Sequence, residues 1–175
     1  SNAAPAARYG TVRGIIVFYY PGSVNGRRAA VLMADNLKAI YPLPDKVRAE
    51  GTTAIGEVRQ PRAPSVFLEL GYHDNADDAT WVTGHLDEIA RNLVLSLTEY
   101  FGIPFLYPTA PRSGVVDVSW GYLNIRARPD TTAPVVARAY DGAPLTIINQ
   151  WQDWYLVRFD GVVGYASRDF VTLVS

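Results

Sequence analysis

Two stretches, GYLNIRARPD (121–130) and WQDWYLVRFDGVVGYASRDFV (151–171), decide how the second half of this chain folds. Around them the sequence breaks into short runs rich in branched and aromatic residues, at 115–118, 123–126, 135–139, 145–149, 155–159 and 162–166. Turn residues separate the runs, and Asp160-Gly161 between the last two is a strong two-residue hairpin signal. So many short strands in about sixty residues predict a small all-β barrel over residues 114–175. Upstream, residues 104–113 carry Pro104, Pro108 and Pro111 and read as a linker.

The first half has a different pattern. RGIIVFYY (13–20) is a short branched and aromatic run stopped by Pro21-Gly22, which reads as a buried strand. From 25 to 41, Ala30, Met33, Ala34, Leu37 and Tyr41 recur at helical spacing, and Pro42 with Pro44 closes the helix. Residues 43–64 lack sustained periodicity and read as a long loop with one short strand or turn. SVFLEL (65–70) is a second strand, followed by one helix with Asp74 or Asn75 as its cap. That helix carries Val82, Leu86, Ile89, Leu93 and Leu97 as its apolar stripe and Gly102 as its stop. Strand, helix, loop, strand and helix predict an α/β layer with a mainly parallel sheet over residues 4–103. Two strands fill only part of such a sheet, so the segment reads as half a domain with an exposed sheet edge, for which self-association is expected. The opening Ser1-Asn2-Ala3 reads as a tag remnant, so the natural chain is expected to continue upstream of Ala4.

Composition narrows the function classes. With 49% hydrophobic and 19% charged residues over 175 positions, the chain is of globular type. A formal charge of −1 and no Lys/Arg run make nucleic acid an unexpected partner. No apolar stretch approaches the roughly 20 residues that span a bilayer. The absence of cysteine excludes disulfides, thiolate metal sites and cysteine nucleophiles, papain-like wall peptidases among them. Gly22-Ser23-Val24-Asn25-Gly26 lacks the spacing of a nucleophile elbow and reads as a turn and helix cap.

The C-terminal stretches resemble the bacterial SH3 family. Leu123, Asn124 and Arg126 match its Leu-Asn-Val-Arg strand, Trp154, Tyr155 and Val157 its Gly-Trp-Tyr-x-Val strand, and Gly164-Tyr165 stands where the family has Gly-Trp. This resemblance implies a binding or targeting domain, often for peptidoglycan. The segment APSVFLELGYHDNADDATWV (63–82) resembles the C-terminal half of the zinc-dependent N-acetylmuramoyl-L-alanine amidases of type 3. Glu69, Gly71, Tyr72, Asn75 and Asp78 occupy that family's places, with Asp74 where Ser is usual, and RGIIVFYYP resembles the strand after its third metal ligand.

The amidase resemblance implies Glu69 as the carboxylate that manages protons, on a metal that activates water and polarises the carbonyl. An ionised Glu in an apolar strand is costly unless paired or functional, and the bland alternative is an ion pair with Arg59 or Arg62. In the family the His, Glu and His ligands precede the strand represented here by residues 13–20, so no zinc is expected to be bound by the family route in this chain. Its only histidines are His73 and His85. His73, in the loop after Glu69, is a candidate substrate contact, and His85 reads as a mid-helix packing or surface residue. In the tail, Trp120, Tyr122 and Trp151 are expected at exposed strand or loop ends as a stacking surface for sugar or peptide, while Trp154 or Tyr155 fills the core. Together these readings describe a bacterial or phage-encoded protein of the cell wall or extracellular space, with peptidoglycan as partner. It is expected to be a truncated amidase inactive by itself, or else a non-catalytic wall binder on a degenerate amidase scaffold.

Overall fold

The computed structural model describes residues 2–174 and divides into two units between Phe101 and Gly102. In the first unit, strand β1 (Ile15–Tyr19) leads into helix α1 (Val24–Lys38), whose cap Ser23 accepts a hydrogen bond from the Gly26 amide. Strand β2 (Val47–Gly51) and the short helix α2 (Gly56–Arg59) follow, then strand β3 (Val66–Glu69). Helices α3 (Ala76–Gly84) and α4 (Leu86–Phe101) complete the unit, and Gly102 stops α4 at φ 64°.

The three strands lie in the order β2-β1-β3, with β2 parallel and β3 antiparallel to β1. The sheet is therefore mixed, not mainly parallel as the pattern suggested. The stretch read as loop supplies both β2 and α2. Strand β2, VRAEG, alternates apolar and charged residues over only four positions, with Val47 buried and the small Ala49 packed against the core, too short a run to stand out from a loop. The charges of Arg48 and Glu50, paired at 2.8 Å, suit an edge strand. Ile15 and Val17 face α1 and pack with Ala30, Met33, Ala34, Leu37, Tyr41 and Val47.

The predicted single helix from 75 to 101 is two helices, broken at His85. This corrects the mid-helix placement of that residue: its Nδ1 lies 2.8 Å from the Trp81 carbonyl oxygen and its ring stacks on Trp81. The expected stripe holds in part: Ile89 is buried and Val82 and Leu93 pack against the core, but Leu86 and Leu97 are exposed and the buried line of α4 runs through Ile89, Asn92 and Ser96. Polar bonding sets this rotation. Asn36 of α1 donates to Ser96 Oγ at 3.0 Å, and Asn92 donates to the Asn36 carbonyl at 3.0 Å.

The second unit is all antiparallel: β4 (Arg112–Val116), β5 (Tyr122–Arg126), β6 (Val135–Tyr140), β7 (Pro144–Trp151), β8 (Trp154–Phe159), β9 (Val162–Ser167) and β10 (Val171–Val174). Their order is β10-β4-β7-β8-β9-β5-β6. Strand β4 pairs with β7 from Arg112 onward, so Arg112 and Ser113, read as linker, belong to the sheet. The Asp160-Gly161 turn has φ 48° and 77°, as a type I′ hairpin requires. Leu123, Ile125, Ile147, Tyr155, Val157 and Ala166 are at the centre of this core.

Candidate functional site

In the α/β unit, pairing register fixes where Glu69 sits. Ile16 is opposite both Glu69 on β3 and Arg48 on β2, and residues directly opposite share a face. Glu69 therefore lies on the sheet face turned away from α1, half-buried, in a row with Ile16 and Arg48. Arg59 and Arg62 are exposed, at the end of α2 and just beyond it.

The turn after Glu69 is held by its own side chains. Gly71 is buried at φ 152°, and a Cβ there would lie 3.3 Å from the Asp78 side chain, so glycine is required. Asn75 caps α3, accepting from the Asp77 and Asp78 amides while donating to the Gly10 carbonyl at 2.7 Å. Asp74, in the family's Ser place, accepts from the Gly10 amide at 2.7 Å and the Ala4 amide at 3.1 Å. The Gly10 bond leads in holding the Asp74 carboxyl below its ordinary range. Asp78 is fully buried and accepts from the Tyr41 hydroxyl at 2.5 Å, the Gly14 and Tyr72 amides at 3.0 Å each, and Arg13 Nε at 3.1 Å. Burial pushes this carboxyl up, but the four hydrogen bonds outweigh it and hold it below the usual carboxylate range. The Tyr41 hydroxyl is pushed well up by burial and by its bond to Asp78. His73 is exposed, and its amide donates to the Asn2 carbonyl at 2.9 Å.

This set of donors does not fit a catalytic zinc, which needs three protein ligands and an open position. Among the described residues no three of His, Cys, Asp and Glu come together in a way that could hold a metal ion. The Asp74-Asn75-x-x-Asp78 motif instead ties residues 4–14 to the start of α3.

The second unit carries a groove of about 520 Å³. Trp120, Tyr122, Asn124, Arg126, Trp154 and Phe170 line it, with Ser119, Thr131 and Ser167 among the polar members. Alternation along β5 builds one wall: Leu123 and Ile125 point into the core, so Tyr122, Asn124 and Arg126 share the outer face. The Arg138 guanidinium lies 4.7 Å over the Tyr122 ring, and Tyr140 meets that ring edge-on at 6.2 Å. Trp120 is 87% exposed on the loop before β5.

Of the aromatic residues singled out in the sequence, Trp120 and Tyr122 come together in the groove. Trp151 is exposed at the tip of the β7–β8 hairpin, outside that lining. Tyr155 fills the core, whereas Trp154, read as its equal for that role, is half-buried and lines the groove. Sequence reasoning missed Asn124, Arg126 and Phe170 as groove residues. Strict alternation from the buried Leu123 would have found the first two.

Residues 121–172 match the family model of the bacterial SH3 domain. No curated protein sequence matches the chain. Among solved structures, the CwlD amidase from Clostridioides difficile, in complex with the GerS lipoprotein, is similar at 17% identity and a TM-score of 0.52, over 58% of this chain and 51% of that one. The catalytic domain of the CD27L endolysin targeting Clostridia difficile follows at 21% identity and a TM-score of 0.48, over 56% and 50% of the two chains. The N-acetylmuramoyl-L-alanine amidase AmiC2 of Nostoc punctiforme gives 19% and 0.47, over 58% and 54%. The chain thus spans about half the length of these structures. The likeness to CwlD is one of fold, and in this chain a unit matching the bacterial SH3 model follows an α/β unit.

Proposed function

We propose that this chain is a cell-wall protein that holds peptidoglycan in the groove of its SH3-type unit. In this reading the α/β unit is the Glu69-bearing part of an N-acetylmuramoyl-L-alanine amidase layer. The observation that carries it is the groove itself, where an exposed Trp120 and the Tyr122, Trp154 and Phe170 rings surround a small polar set in a unit that matches the bacterial SH3 family. Few exposed aromatic groups with convergent polar ones are what a binding cleft needs.

Glu69 would be the proton-handling carboxylate of the intact amidase, and His73, four residues on, a substrate contact. The chain by itself is proposed to be inactive, because hydrolysis by the family route calls for a zinc that its described residues do not fit. The same donor set favours a second reading, a non-catalytic wall binder built on an amidase-like scaffold. Both place the protein at the wall or outside the cell.

Co-sedimentation of the full chain with purified sacculi tests the binding. We expect the chain to pellet with the wall and Trp120→Ala to lose at least about tenfold in affinity, as a hot-spot aromatic does. Equal pelleting by the variant overturns the groove as the binding site. Release of stem peptide from sacculi by the chain in zinc-containing buffer would overturn its inactivity.

A further inference from the structure

Within the groove, the charge is one-sided. Arg126 is the only ionisable side chain other than a Tyr phenol in its lining, which is otherwise aromatic, aliphatic or neutral polar. One Arg126 N–H donates to the Ala133 carbonyl at 2.8 Å, and a guanidinium carries five such donors. Asp130 lies near enough to feel this charge, but its carboxylate is engaged by the Thr132 amide and hydroxyl at 2.7 and 2.9 Å. Next to Arg126 on the same face of β5, the Asn124 side-chain oxygen is shielded from solvent and accepts no hydrogen bond from the described residues. A buried acceptor in that state is costly, so a turn of the Asn124 amide toward the groove that lets its oxygen meet a ligand N–H is rewarded.

We propose that the groove recognises a peptide segment bearing a free carboxylate, with Arg126 receiving the carboxylate, Asn124 accepting a backbone amide N–H, and the rings of Trp120, Tyr122 and Trp154 covering the apolar part of the peptide. The proposal rests on the wall-binding reading and deepens it. Guanidinium and carboxylate match in planar, two-bond geometry. In peptidoglycan the lactyl carboxyl is tied up in the amide to the peptide, so free carboxylates lie on the stem peptides and the glycan is neutral. A phosphate-bearing wall polymer would also satisfy Arg126, but it brings no amide N–H for Asn124.

Calorimetric titration of the full chain with L-alanyl-γ-D-glutamyl-L-lysine, with its fully amidated form, with the N-acetylglucosamine tetramer and with poly(glycerol phosphate) tests this. We expect the peptide with free carboxylates to bind at least about tenfold more tightly than its amidated form and than the two polymers, with affinity falling as salt rises. Arg126→Gln should remove that preference while Trp120→Ala weakens both peptides together, and the amidated ligand keeps the test valid should Arg126→Gln fail to fold. Equal binding of the free-carboxylate and amidated peptides, or tighter binding of either polymer, overturns the proposal. If sacculi are bound through Trp120 but the free-carboxylate peptide is not, this inference alone falls. If sacculi are not bound, the wall-binding reading falls with it.

Discussion

Asp78 is the residue on which the α/β unit most depends. Its carboxylate satisfies two backbone amides and the Tyr41 hydroxyl inside the protein and neutralises Arg13, whose second partner is Asp77 at 2.9 Å. Removing one partner of a buried charged network costs about 3–5 kcal/mol, so Asp78→Ala should lose stability on that scale in urea unfolding. The pH dependence follows from the depressed carboxyl. Its contribution is full above the unfolded-state value of about 3.9 and is lost as pH falls through the lower folded value. Stability of the α/β unit should therefore fall steeply below about pH 4, and Asp78→Asn should flatten that dependence. An unchanged acid slope in Asp78→Asn would assign it to other carboxylates. The sequence marked Asn75 and Asp78 by resemblance, but what they hold was invisible there, since their partners Gly10, Arg13, Gly14 and Tyr41 lie 37 to 65 positions away.

At the level of elements, the β5–β9 crossing shows why one glycine is needed. A Cβ on Gly164 would stand 2.7 Å from Ile125 Cγ2 and 2.8 Å from the Arg126 carbonyl oxygen. Gly164→Val should cost about 1–3 kcal/mol through overpacking. Because the displaced backbone carries Arg126, peptide affinity should drop together with melting temperature. A variant that melts like the parent would show that β5 moves aside freely. Helix α4 teaches the opposite lesson about patterning. Of its apolar residues, Ile89 is buried and Leu93 packs against the core, yet Leu86, Val94, Leu97 and Phe101 are exposed, and the buried line continues through Asn92 and Ser96. Periodicity ranks faces by hydrophobicity, whereas the α1–α4 hydrogen bonds select the face that has partners.

For the molecule as a whole, the chain joins an amidase-like layer to an SH3-type unit, and two measurements address the first. Zinc titration should find no stoichiometric tight site, and tight binding abolished by His73→Ala would overturn that expectation. Strands β2 and β3 are the outer strands of the first sheet. Exposed edges template pairing between chains, so light scattering should show mass rising with concentration. A constant monomer mass up to millimolar concentration would count against an open edge.

Legible in the residues alone were the class of each half, six of the seven strands of the second sheet, the Asp160-Gly161 turn and the exposure of Trp120, Tyr122 and Trp151. These are local properties, fixed by alternation and turn chemistry within a few residues. Long-range packing set the antiparallel run of β3 against β1, the place of β2 as an edge, the break of the long helix at His85, and the groove that Asn124 and Arg126 share with Trp154. Each of these depends on a partner distant in the chain. For a half-buried edge strand or a polar helix contact, that partner supplies the free energy that local pattern lacks.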